Sequence, residues 1–124
     1  MSQDIISDVL NQIMNAKRAG KLDLKVNHSS KSLISILALA KLKGYIKNYE
    51  LTKKSLKIEI GRLNACNAIK PRYTIIVSQI EKYEKRYLPA RGFGILILST
   101  SKGLKTNQTA KEKNIGGSLI AYMY

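Results

Sequence analysis

Apolar residues recur along the chain at spacings that separate helix from strand. Ile5, Ile6, Val9, Leu10, Ile13 and Ala16 return every three or four positions, which predicts an amphipathic helix. Asp4 stands where an N-cap belongs, and Asp8 lies close enough to the start to favour the helix dipole. Lys17 and Arg18 fall in the last turn and Gly20 marks the stop. Leu22, Leu24 and Val26 then alternate with Lys21, Asp23 and Lys25, the pattern of a half-buried strand. A turn at Asn27-His28-Ser29-Ser30 leads into a second helix, capped by Ser29 or Ser30. Its apolar face is wide: Leu33, Ile34, Ile36, Leu37, Ala40 and Leu42, with Gly44 at the end. Residues 45–51 and 56–60, on either side of Thr52-Lys53-Lys54-Ser55, read as a hairpin.

From Gly61 to Lys70 the apolar signal weakens, and the boundary between two lobes falls there. Residues 1–63 form a first α/β lobe with two helices on one face of a small sheet. Residues 64–124 form a second, β-rich lobe. Pro71 suits an edge strand or a bend. Residues 73–77 read as a strand, followed by a helix from Ser78 or Gln79 through Tyr87 that Pro89 ends. Ile95, Leu96, Ile97 and Leu98 run without a break and read as a strand buried on both faces. Ser99-Thr100-Ser101-Lys102-Gly103 follows as a loop. Thr106 or Asn107 caps a short polar helix to Lys113, Gly116-Gly117 breaks it, and residues 118–124 make a terminal strand. The expected class is mixed α/β (α+β): two small lobes, each a short sheet with helices packed on it.

Charge changes the picture more than composition does. Among 124 residues, 22 are Lys or Arg and 8 are Asp or Glu, a net charge of +14. A chain this short with that excess is expected to face a polyanion; nucleic acid is the usual one, and an anionic membrane surface is the competing partner. No segment approaches the roughly 20 apolar residues of a membrane span, and Met1-Ser2-Gln3-Asp4 does not begin a signal peptide. The single cysteine, Cys66, rules out an internal disulfide framework and fits a reducing compartment.

Catalytic chemistry has little to build on. One histidine, His28, and one cysteine stand far apart in the sequence, and the eight acids are scattered. Gly92-Phe93-Gly94 precedes a strand, whereas a dinucleotide fingerprint follows one. The segment around Phe93 lacks the full aromatic and basic pattern of a stacking RNA-recognition sheet. A small buried residue is the expectation for Cys66. Neither an enzyme, a cofactor nor a metal is expected. The alternatives to an RNA binder are a small basic DNA-binding regulator, which needs a recognition helix that neither long helix offers, and an RNA-processing enzyme, which needs clustered acids.

The chain resembles the family of ribosomal protein eight of the small subunit, in its archaeal and eukaryotic form. The matching stretches are Asp4-Ile5-Ile6-Ser7-Asp8 with Asn15-Ala16, Ser30-Lys31, Gly44-Tyr45-Ile46, and Lys85-Arg86-Tyr87-Leu88-Pro89. The strongest are Gly94, Ser99-Thr100-Ser101-Lys102-Gly103, Gly116-Gly117 and the terminal Tyr124. They span nearly the whole chain in the family's order. Ile5 departs from the proline common there, which removes a favourable first-turn residue and no function. The basic segment of the bacterial form is missing; Leu88-Pro89-Ala90-Arg91-Gly92-Phe93-Gly94 stands in its place.

The resemblance implies a cytoplasmic, ribosome-bound protein of two lobes. It implies binding to the central domain of small-subunit ribosomal RNA, with neighbouring ribosomal proteins as further partners. Some relatives also repress their own messenger RNA. The second lobe is expected to read an irregular RNA helix through the loop 99–103, while the first touches neighbouring RNA through Asn15 and Lys31. Ser99, Thr100 and Ser101 are then expected to carry specificity. Lys17, Arg18, Lys31, Arg91 and Lys102 supply attraction, and Gly103, Gly116 and Gly117 complete the candidate site.

Overall fold

The computed structural model describes residues 5–27, 30–53, 55–69, 72–90 and 92–124. In chain order the elements are helix α1 (Ile5–Arg18), strand β1 (Asp23–Val26), helix α2 (Lys31–Leu42), and strands β2 (Ile46–Leu51), β3 (Leu56–Ile60), β4 (Cys66–Ala68) and β5 (Thr74–Ile75). A 3-10 turn (Val77–Gln79) leads into α3 (Ile80–Tyr87), followed by β6 (Ile95–Thr100), β7 (Gly103–Thr106), α4 (Asn107–Lys113) and β8 (Gly117–Met123). The chain divides into two units, Met1–Cys66 and Asn67–Tyr124. Both are mixed α/β, as the periodicity predicts. The expected cap Asp4, the turn residues His28, Ser29 and Lys54, and Pro71 lie outside the described residues.

In the first unit α1 buries Ile6, Val9, Leu10, Ile13 and Ala16 of the stripe read from the sequence, and Ile5 is half-buried. Ser30 caps α2 by accepting from Leu33 N at 3.1 Å. The helix stripe is narrower than expected: Leu33, Ile36, Leu37 and Ala40 are buried, but Leu42 is 81% exposed. At 100° per residue Leu42 lies on the far side of the helix from Ala40. The three strands pair antiparallel in the order β1-β3-β2, with a bulge in β2 between Ile46 and Asn48. Register puts Val26, Leu56 and Leu51 in one row, and Asp23, Glu59 and Asn48 in another on the opposite face. α1 packs on β1 and α2 on β2, so both helices serve one sheet. Leu22 is 80% exposed, because it stands just ahead of the strand β1.

The stretch 61–70 is better packed than its weak pattern suggests. Leu63, Cys66 and Ile69 are buried, three residues apart. The Cys66 thiol donates to the Leu10 carbonyl at 3.6 Å. Burial pushes this thiol up from 9.0 to about 12.

In the second unit the strand order is β4-β8-β6-β7, and β5 also pairs with β8. Leu96 and Leu98 of β6 join Ile75, Ile80, Leu88, Ala110 and Leu119 in one core. The expected strand over 73–77 is cut to two residues. β8 begins at Gly117 opposite Ile75, so no partner remains for Ile76 and Val77. The chain turns into the 3-10 segment, with the Gln79 side chain accepting from Ile76 N at 3.0 Å. β7 is not legible in the sequence, because its four residues contain one glycine and one lysine and show no alternation. Thr106 caps α4 by accepting from Thr109 N at 3.3 Å. That helix ends at Asn114, whose left-handed backbone lets Ile115 N reach Ala110 O at 2.9 Å.

Two outcomes follow for stability. Ile97 is fully buried in a strand paired on both edges. Ile97→Ala costs about 2–5 kcal/mol of unfolding free energy; urea unfolding of the variant at the parent's midpoint contradicts this. Cys66 adds an alkaline limb. Its folded-state pKa is raised, so its contribution is full below pH 9.0 and declines towards about pH 12. Unfolding midpoints between about pH 8 and 11 therefore fall more steeply for the parent than for Cys66→Ala.

Candidate nucleic-acid interface

Strand β6 carries side chains to two faces in alternation. Leu96 and Leu98 face the core they share with Leu119. Ile95, Ile97 and Ser99 point the other way. Along that second face Ile95, Ile97, Ala121 and Met123 are buried, and the apolar character stops at Ser99, which is exposed. There the register sets three hydroxyls side by side. Ser99 pairs with Ser118, and Ser118 pairs with Thr74. Directly paired residues share a face, with neighbouring strands about 4.8 Å apart. Ser99 and Thr74 are exposed and Ser118 is half-buried. None of the three hydroxyls has a hydrogen-bond partner among the described residues.

The expected loop 99–103 is instead a tight hairpin. Ser99 and Thr100 belong to β6, Gly103 opens β7, and Thr100 pairs with Gly103, leaving only Ser101 and Lys102 as the tip. Neither tip residue has a positive φ; Gly103, at +98°, takes up the twist. That is a two-residue hairpin whose pairing runs without a shift up to Gly103. The Thr100 hydroxyl donates to Gly103 O at 2.6 Å and accepts from Lys102 N at 3.1 Å. Thr100 therefore holds the turn, and Ser99 and Ser101 are the hydroxyls presented outward. Ser101 and Lys102 are both exposed.

Gly116 and Gly117 are brought to the same end of the sheet. A Cβ on Gly117 would lie 2.4 Å from Ser99 O and 3.0 Å from the Thr100 methyl, and one on Gly116 would lie 2.5 Å from Ile75 O. The pair lets β8 close between β5 and β6, and so sets the spacing of the hydroxyl row. Arg91 lies outside the described residues. In the first unit Asn15, Lys17 and Arg18 are exposed along α1, the two cations in its last turn, and Lys31 is exposed at the start of α2. Among the described residues Lys17, Arg18, Lys31 and Lys102 have no ion-pair partner, whereas Lys111 is tied to Glu84 at 2.7 Å. Sequence reasoning does not find Thr74 and Ser118. A threonine and a serine so far apart in the chain carry no signal until the strands are paired.

The chain is basic, its two small units are both mixed α/β, and the second carries a row of three hydroxyls at the end of a buried strand. The model of the family described as ribosomal protein S8 matches residues 4–124. The chain is 49% identical over 129 residues to small ribosomal subunit protein uS8 of Nanoarchaeum equitans, with all of both chains covered. It is 40% identical to the protein of that name from Archaeoglobus fulgidus and 41% to that from Thermoplasma acidophilum, again over the full length of both. The chain belongs to the ribosomal protein S8 family. This is a structural, non-enzymatic family of the small ribosomal subunit, located in the cytoplasmic ribosome. These archaeal relatives agree with the resemblance to the archaeal and eukaryotic form of the family.

Gly117→Ala forces Ser99 and its neighbours to move. It should lower unfolding stability by about 1–3 kcal/mol, the usual cost of overpacking. Native-state amide exchange should speed up in β6 and β8 near Ser99 and Ser118; unchanged exchange there rules out the spacing role of this glycine.

Proposed function

We propose that this chain binds the central domain of small-subunit ribosomal RNA and supports its assembly, with the β6–β7 hairpin as the reading element. The hydroxyl row Thr74–Ser118–Ser99, continued by Ser101 at the hairpin tip, carries this reading. Double-helical RNA hides its major groove and offers a shallow minor groove lined with 2′-hydroxyls. Short hydroxyl side chains on a rigid strand suit that surface, since each both donates and accepts. The cations spread over the rest of the surface supply attraction without sequence choice. Neighbouring small-subunit proteins are the expected partners on other faces. A messenger segment folded like the ribosomal site would compete for the same hairpin, which is how the chain would repress its own message.

The test is a set of salt titrations on a central-domain RNA fragment, a scrambled RNA helix and duplex DNA. Ser101→Ala should lose about 1–3 kcal/mol on the cognate RNA, the cost of an unsatisfied partner, and little on the others. Its salt slope should hold, because no charge is lost. Lys102→Ala should weaken binding to all three and reduce the slope by about one. Equal weakening of all three targets by Ser101→Ala, or no weakening at all, removes the hairpin from the reading role.

A further inference from the structure

Away from the hydroxyl row, aromatic and cationic side chains from separate segments of the second unit form one stacked spine. Tyr87 of α3 stacks on Tyr122 of β8 with ring centroids 5.4 Å apart, and Tyr122 stacks on Tyr124 at 6.1 Å. Phe93 meets Tyr124 at 6.3 Å. In the other direction the Arg86 guanidinium sits 5.5 Å from the Tyr87 ring and 5.8 Å from Tyr73, which itself stacks on Tyr83 at 5.6 Å. Lys82 closes that end, 5.7 Å over Tyr83.

The five tyrosine rings pack against the core, but their polar tips are unspent. No tyrosine hydroxyl of the spine has a partner among the described residues. Phe93 is the open end, 48% exposed. It is held there by a tight turn, with Phe93 N donating to Ala90 O at 3.1 Å. The next residue, Gly94, has no room for a Cβ, which would fall 2.7 Å from Met123 O and 2.8 Å from the Tyr124 Cβ. The Phe93 ring is tilted 45° from Tyr124, and a half-exposed phenyl at the end of the row has a face on which a further planar group can stack.

We infer that Phe93, backed by this spine, is a stacking site for an unpaired base of RNA. Aromatic planes with cationic rungs are what single-stranded nucleic acid requires: rings for the bases and charge for the backbone. The net charge of +14 favours a polyanion over a cationic protein segment. Of the two carboxylates on α3, Glu84 is already occupied by Lys111 and Asn107. The site goes beyond the hairpin reading and shares with it only the class of partner.

The experiment uses the full chain and two probes at low salt: a labelled oligouridylate of about 12 nucleotides, long enough for one such site, and an abasic strand of equal length and charge. Phe93→Ala should bind the oligouridylate roughly 5- to 100-fold more weakly, the effect of removing one base–aromatic stack, and the abasic strand as the parent does. Phe93→Trp should restore binding. Phe93→Leu keeps apolar bulk without the ring and should behave like the alanine variant, which separates stacking from folding. Failure of the parent to prefer the oligouridylate overturns the proposal. So does an unchanged affinity in Phe93→Ala, the outcome expected if the spine instead docks a protein. Ser101→Ala should not alter oligouridylate binding, so loss of the hairpin reading on central-domain RNA leaves this result standing.

Discussion

Strand β6 has no free edge and almost no free face. β7 and β8 pair with its two edges, and Ile95, Leu96, Ile97 and Leu98 are all buried. Even the hydrogen bond beyond the end of β7 is filled: the Asn107 side chain accepts from Leu96 N at 3.1 Å, taking the place of a further strand residue. Asn107 also donates to Glu84, which ties α3 and α4 to the strand. A strand enclosed in this way meets a partner only at its end. Ser99, Thr100 and the hairpin tip are that end, so the most constrained element of the unit presents the candidate site. Rigidity matters to such a site, because a prearranged surface gives up less entropy on binding.

Elements whose signal is local are legible in the sequence. The apolar stripe of α1, the cap at Ser30, the β2–β3 hairpin and the four-residue apolar run of β6 each stand within a window of a few residues. What is not legible depends on register or on distant partners. β5 stops because β8 offers nothing past Gly117, a fact about the partner and not about Ile76 or Val77. The loop after β6 closes into a hairpin because Gly103 takes a φ of +98°, whereas serines and a lysine by themselves read as an open turn. Thr74, Ser118 and Ser99 are one row only after two strand pairings are known. The aromatic spine draws rings from before β5, from α3, from β8 and from the turn at Phe93, so no single window contains its pattern.

The two kinds of candidate contact rest on different physics. The hydroxyl row acts at hydrogen-bond range, and its geometry is fixed by Gly116 and Gly117, which let three strands approach. The cations act over the Debye length, about 8–10 Å at physiological salt, and need no fixed geometry. Lys17, Arg18 and Lys31 fit the second description, being exposed side chains on helix ends. Thr100 fits neither, since its hydroxyl is used inside the turn. The Thr100 hydroxyl thus has a framework role in the turn, where it holds Ser101 and Lys102 in place.

In the second unit the acids are confined to the helices, where cations outnumber them. Only Glu81, Glu84 and Glu112 carry negative side chains after Asn67, and all three lie on α3 or α4. Strands β4 to β8, the hairpin tip and the glycine pair contain none. A polyanion approaching the hydroxyl row therefore meets no carboxylate on the strands themselves, while Lys102 and Lys105 stand on the hairpin beside it. The three acids on these helices stand among five cations, Lys82, Lys85, Arg86, Lys111 and Lys113, and Glu84 is paired with Lys111. Placing the acids on the helices keeps their repulsion off the sheet end without changing the net charge of the whole chain. Neutral hydroxyls can then sit at the closest approach, where a lysine's flexible stem would blur the fit and a carboxylate would prevent it.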